Sequence, residues 1–495
     1  MGVKVGSRGV PPSGITRRAV LQAGVALPAA AALAASACGR QITKTPVELT
    51  WLSWGPELPI QWTAGPGLNP RVRFFGAPGQ GGPQATPVPP ERVLEQQIAP
   101  FVADREDLTI KIITEQPEKY AAKLQALAAA GALPDIVAYD GAQAVPLIRA
   151  GLLYDLSRLQ GVTSRSFLGS FPTAYLDASR YRGKLYGVPY QTRQLVLYVN
   201  KTAFGGLALP PAEWGNPNWT WVHFLEKATA LTQRSVGGGV SQFGTLLTGR
   251  PMWAALIRQN GGLEFSRDFS RSYYDTPEVY EALQWAADLI WRYRVAPNEQ
   301  QNPGGTRWNF DLGNVAMWIW YQHSIPLVTQ RVFTTFDWDI YPLPMNRKTG
   351  TYAEWGFLSI SANTVDLDRA WEFVRFLAGP DGDRQALRDG VAGPALRGTE
   401  PFFLTGSGAS KNKAAAIQAV QQPTATRPLH DSWDQVQSLL DFYLRPVWSG
   451  TQKAVYACRD LRVAVDGVLA GLSTTGPAVG NAPAESEGGD SSAGS

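Results

Sequence analysis

The sequence predicts an α/β fold on a mostly parallel sheet, and three observations carry that reading. Residues 108–151 alternate between runs with a strand-like apolar period and runs with a helical one. Gly131 and Gly151 close two of the helical runs, where a left-handed residue frees the chain to turn back. Apolar residues make up 44% of the 495, enough to fill more than one core.

Val47–Trp54 alternates well enough to form a first strand. Residues 55–90 are crowded with Pro and Gly and show no period, which predicts a long inserted surface loop. Glu91–Val102 is helical, with Pro100 expected to kink or end it. Leu108–Thr114 is a strand, Lys119–Ala130 an amphipathic helix, Asp135–Tyr139 a strand and Ala142–Ala150 a helix. Gly183–Tyr190 and Leu195–Asn200 are extended, and Trp221–Thr232 is a helix with Thr220 as N-cap. Val279–Tyr293 carries the stripe Leu283, Ala286, Ala287 and Ile290 of a helix laid on a core. Val315–Tyr321, Trp338–Leu343 and Gly356–Ser361 are strands; Arg369–Leu377, Trp433–Trp448 and Val455–Leu469 are helices. Residues 472–495, rich in Gly, Ser, Ala, Pro and acids, have the composition of a disordered tail. The chain shows no internal repeat.

Residues 1–37 form a targeting segment. Thr16–Gln22, with Arg17 and Arg18, resembles a twin-arginine export signal, and an alanine-rich stretch follows to Ala37. Ala35-Ser36-Ala37-Cys38 resembles a lipobox in which Cys38 carries the lipid, although Ala35 stands where leucine is usual. The same residues fit an A-x-A cleavage site that would release a soluble protein. No later stretch reaches about 18 uninterrupted apolar residues. Either way the protein is expected to work at the outer face of the cytoplasmic membrane, in a periplasm or outside the cell.

The leader holds four of the 45 basic residues (Lys4, Arg8, Arg17, Arg18) and none of the 41 acidic ones, so the remaining chain is formally neutral. Charge therefore gives no support to nucleic-acid binding or to polyanionic substrates. With Cys38 assigned to the N-terminus, Cys458 has no disulfide partner and reads as a small buried hydrophobe. The three histidines, His223, His323 and His430, form no metal-binding motif; no nucleophile elbow or phosphate-binding loop occurs, and no cofactor is expected. Carboxylate pairs suited to glycoside hydrolysis stay open at this level. The 17 Trp, 17 Tyr and 19 Phe fill cores, and they also fit a site that stacks on sugar rings.

Six blocks occur in a fixed order. They begin with Tyr120–Lys123, Ala129–Gly131 and Leu133–Val137, running to Ala150–Leu156, and continue with Gly183–Pro189 and Leu197–Lys201. Trp219–Trp221, Gly313–Met317 and Ala370–Leu377 complete them. Over residues 47–470 this order resembles family 1 extracellular solute-binding proteins, the maltose-binding-protein-like receptors of bacterial ABC importers. The resemblance implies a two-lobed type II binding-protein fold, two α/β domains joined by three hinge crossings around a ligand cleft. It places a tether at 38–46, one lobe at 47–190 plus 322–362, and the other at 191–321 plus 363–471. It implies a monomeric receptor, not an enzyme, that closes on a sugar or oligosaccharide and delivers it to membrane permease subunits served by an ATPase. A receptor of the same fold for a glycerophosphodiester or a compatible solute is the alternative, and an exported glycoside hydrolase a more distant one.

Ligands of open α/β sheets sit beyond the carboxyl ends of strands. That rule nominates Trp54 with Gly55, Tyr139 with Asp140, Tyr190 with Gln191, and Trp320 with Tyr321. The resemblance adds Trp253 and Trp433 as sugar-stacking rings, and Trp355, entering the third crossing, is a further candidate. Trp51, Trp285 and Trp371 have core periodicity, and Asp140 also suits a helix cap.

Overall fold

The structure, a computed structural model, describes residues 46–54, 72–75, 90–115, 117–159, 161–332, 335–388, 395–405 and 412–471. Arg17, Arg18, Cys38, the tether, most of the 55–90 loop and the tail lie outside the described residues. In chain order the strands are β1 Val47–Trp54, β2 Val72–Phe75, β3 Leu108–Glu115, β4 Ile136–Asp140, β5 Arg180–Tyr181, β6 Lys184–Leu185 and β7 Val188–Asn200. They continue with β8 Gln233–Arg234, β9 Val240–Leu246, β10 Val315–Tyr321, β11 Trp338–Tyr341, β12 Thr351–Ile360 and β13 Thr424–Ala425.

The main sheet runs β2-β3-β1-β4-β12-β7-β10-β9-β8, with β11 on β7 and β13 on β12. Its first four strands are parallel, as the strand–helix rhythm predicts. Its centre is antiparallel, because β12 runs against both β4 and β7, and β7 against β10. Strand β2 lies within the span read as a loop, paired with β3.

Side chains alternate across β1, β3 and β4; β4 is buried on both faces, while β3 alternates buried Leu108, Ile110 and Ile112 with half-buried Thr109 and Lys111. Leu49, Trp51, Ile110, Ile112, Ile136 and Ala138 face the helices Pro90–Ala103 and Leu367–Leu377. Leu52, Val137 and Tyr139 face the opposite way, toward Leu124, Ala144 and Ile148. Trp51 meets Phe373 edge-on at 5.6 Å, and Trp371 is also buried, in keeping with their core periodicity. Along the second half of β7, Leu195, Leu197 and Val199 join a large helical core, while Val196 and Tyr198 join another on the reverse face. Trp285 stacks on Trp221 at 4.4 Å within that large core.

Two long strands carry the chain between these bodies. The first half of β7 pairs with β12, and the second half pairs with β10 and β11. Within β12, Ala353–Trp355, Phe357 and Leu358 pair with β7, and Gly356–Ile360 pair with β4 on the other edge. Here the buried contacts run differently from the partition expected of the sequence. The helix Ile325–Val332 and β11 pack on Val196 and Tyr198, with the second body. The helix Leu367–Leu377 packs under Trp51, with the first. β12 begins at Thr351, five residues before the expected strand start. The helix Pro380–Arg388 touches both bodies: Gly382 O accepts from Gln97 Nε2, and Leu387 packs with Val196.

Glycine is required where β6 leads into β7. A Cβ on Gly187 would come within 2.6 Å of the Tyr139 hydroxyl and 2.9 Å of Phe357 Cβ.

Candidate functional site

The carboxyl end of β4 is the centre of the site. Asp140 ends the strand and Gly141 opens the helix Gly141–Arg149. Gly141 is shared by two depressions between the bodies. A small cavity of about 40 Å³ is lined by Asp140, Glu354, Trp355, Phe357, Thr426 and Arg427. A groove of about 510 Å³ is lined by Val145, Pro146, Arg149, His430, Asp431 and Trp433.

Of the residues nominated from sequence, Asp140, Trp355 and Trp433 line these depressions. Both tryptophans are buried, and among the described residues neither indole N–H has a hydrogen-bond partner. Trp355 packs against Tyr175 at 5.0 Å, and Trp433 meets Phe265 edge-on at 6.0 Å. Gln191 lies on β7 at an irregularity opposite Gly356, where its φ of 75° turns the strand. Tyr321 is buried; burial first and then the Glu354 carboxylate, which accepts its hydroxyl, push its pKa up.

The other nominees lie elsewhere. Tyr139 is fully buried and its hydroxyl points inward, donating to Tyr186 O at 3.1 Å and accepting from Ser359 at 3.0 Å. Trp320 stacks on Trp318 at 5.3 Å, half-buried between two cores. Trp253 is buried against Trp448 and lines neither depression. Trp54 ends β1, and its side chain is outside the described set.

Sequence reasoning missed the polar network beneath the two tryptophans. Arg250 Nη2 donates to both Glu264 oxygens at 3.0 Å, and Arg250 Nη1 donates to the Tyr352 hydroxyl at 3.0 Å. Tyr352 donates in turn to Glu354 at 3.1 Å, and Tyr274 donates to Glu264 at 2.9 Å. The Arg250 guanidinium also lies over three rings, Trp433, Tyr352 and Trp253. Burial opposes its charge, but the Glu264 carboxylate with Tyr352 and Tyr274 outweighs that and raises its pKa. The network joins Glu354 at the small cavity to Trp433 at the groove. The sequence signal was weak: one arginine beside a proline, opening an otherwise apolar helical turn.

The remaining polar outliers have structural work. His223 Nδ1 lies 2.9 Å from the Thr220 hydroxyl and 3.3 Å from the Thr220 amide, capping the helix Trp221–Leu231. Burial, with Asp275 nearby, pushes the Cys458 thiol up to about 12, so it is an unreactive core group. Among the described residues, no cluster of three or more His, Cys, Asp or Glu could hold a metal ion, and no helix is long and apolar enough to cross a membrane.

A family model described as bacterial extracellular solute-binding protein matches residues 96–414, from the first helix through both crossing strands. The chain belongs to this family. Membership implies export from the cytoplasm. Among solved structures, the fold is similar to an ABC substrate-binding protein from Listeria monocytogenes in complex with cycloalternan. The match has TM-score 0.66 and 19% identity, over 86% of this chain and 100% of that one. It is similar to the cyclic α-maltosyl-1,6-maltose binding protein from Arthrobacter globiformis, at TM-score 0.66 and 18% identity, over 86% and 99% of the two chains. It is also similar to a maltose-bound protein of T. maritima, at TM-score 0.62 and 18% identity, over 85% and 99%. The family member has the two-lobed type II fold of these binding proteins, with the cleft between its lobes.

Proposed function

We propose that this solute-binding protein is the receptor of an ABC importer, that it captures a sugar or oligosaccharide by hinge closure, and that it catalyses no reaction. The observation that carries the reading is the pair Trp355 and Trp433. Both are buried, have unpartnered indole N–H groups, and line depressions that flank the end of β4 in a member of a solute-binding family. Aromatic faces pack on sugar C–H groups, while Asp140, Glu354 and Arg427 offer the paired acceptors and donors that hydroxyls need. The oligosaccharide ligands of three similar structures support the same class. Core packing supports one lobe of residues 47–190 plus 353–378 and a second of 195–352 plus 412–471, with β7 and β12 as crossings. Cys38 is the proposed lipid anchor beside the permease.

A thermal-shift screen over mono- and oligosaccharides tests the reading, because a bound ligand stabilises by RT ln(1 + [L]/Kd). At least one sugar should raise Tm without being consumed. No shift with any sugar would sink the carbohydrate assignment, and turnover would sink the receptor assignment. Mass spectrometry of the mature N-terminus separates a lipidated Cys38 from a free one.

A further inference from the structure

The segment between β13 and the helix Trp433–Trp448 leaves one body, touches the other, and returns. Ala425 and Trp433 at its ends are buried in the large helical core of the second body. Leu429 in its middle packs instead with the first body, its Cδ2 3.4 Å from where a Cβ on Gly141 would sit. Two residues on, Asp431 meets three donors of the first body. Oδ1 accepts from the Tyr181 hydroxyl at 2.6 Å, Oδ2 accepts from Arg182 Nη2 at 2.9 Å, and Arg149 Nε lies 3.7 Å from Oδ1.

These donors are held in place locally. Arg182 and Gly183 form the turn between β5 and β6 with φ of 49° and 79°, the left-handed pair that closes a tight hairpin. The Arg182 guanidinium lies 5.3 Å over the Tyr181 ring, and Arg149 ends its helix. Burial disfavours the Asp431 charge, yet the bonds from Tyr181 and Arg182 and the charges of Arg182 and Arg149 outweigh it and hold its pKa below the carboxylate norm. Such a contact between bodies is made when they are together and lost when they part, so it shifts the population toward closure.

We propose that Asp431 is the clasp of the closed state, a positioning residue that raises affinity by joining the two bodies and so favouring closure. The proposal rests on the hinge-bending receptor reading. The site it acts on is the groove beside Trp433, which shares Arg149 and Asp431 with the clasp.

The test uses the full mature protein, with small-angle scattering of the unliganded form and binding kinetics with maltotriose. Asp431→Asn should enlarge the radius of gyration and raise Kd about tenfold, within the range of ordinary coupling, chiefly through a faster koff. Arg182→Gln, at a side chain 76% exposed and so without risk to the fold, should do the same more weakly. The exchange Asp431→Arg with Arg182→Asp should restore compactness, which a merely structural role for Asp431 would not predict. A radius of gyration unchanged in both single variants overturns the clasp. If the wild type ignores maltotriose while the scattering still responds, the clasp stands and the sugar choice fails.

Discussion

The Arg250 guanidinium sits 4.8 Å from the centre of the Trp433 ring while donating to Glu264 from beneath it. A tryptophan nominated as a ligand platform thus rests on a buried ion pair, and its orientation depends on that pair. Replacing one partner strands the other charge in the core. Arg250→Met should therefore cost about 3–5 kcal/mol in urea unfolding, and adding Glu264→Met should recover much of it. Recovery absent from the double variant would mean the pair is not coupled.

The tryptophans should separate into two classes. Trp433→Phe and Trp355→Phe keep most of the packing but lose the unpartnered N–H and part of the stacking face. Each should weaken sugar binding by about 1 kcal/mol, roughly fivefold in Kd by calorimetry, with a small change in Tm. Trp253→Ala, by contrast, empties a site walled by Trp448 and should cost about 3–5 kcal/mol of stability. Unchanged Kd in both Phe variants would remove these rings from the site.

Gly187→Ala drives a methyl into the Tyr139 hydroxyl and Phe357, at the entry to the crossing strand β7. Overpacking here should lower stability by about 1–3 kcal/mol, read as a lower urea midpoint at constant m. The paired variant Tyr139→Phe, which removes the hydroxyl, should restore part of that loss.

Acidification should weaken the segment that carries Asp431. His430 Nδ1 accepts from the Ser432 amide at 3.2 Å, and burial, partly offset by Asp431 and aided by Arg182, lowers its pKa. A histidine held low in the fold adds stability above the unfolded value of about 6.5, and that stability declines as pH falls toward the folded value. Asp431, also held low, keeps its contribution until pH falls below about 4. Between pH 7 and 5 the Tm of the wild type should therefore drop more than that of His430→Gln. Parallel curves would exclude His430 as the cause.

Much of the fold was legible because local pattern and tertiary role agree. The parallel strands β1 and β3 alternate as their pattern predicts, β4 carries an unbroken apolar run buried on both faces, and Gly131 and Gly151 take the left-handed φ that closes their helices. Strand β2 was not, since its pairing with β3 comes from a stretch of Pro and Gly without period. At the site, Asp140 follows from the strand-end rule, and Trp355 and Trp433 from the resemblance to the family. Arg250, Glu264 and Glu354 were not legible, because their roles exist only when three distant segments converge.

The sequence by itself determined the strand–helix rhythm, the order of blocks that resembles the family, the formal neutrality of residues 38–495, and the abundance of aromatic residues. Tertiary structure alone decided which aromatics line a depression: Trp253 and Trp433 look alike in sequence, yet one packs on Trp448 and the other lines the groove. It also decided how the strands pair, because a strand's partners along its two halves are long-range pairings that no local window contains. β7 changes partners along its length for that reason, and the Asp431 contact joins residues about 250 positions apart for the same one.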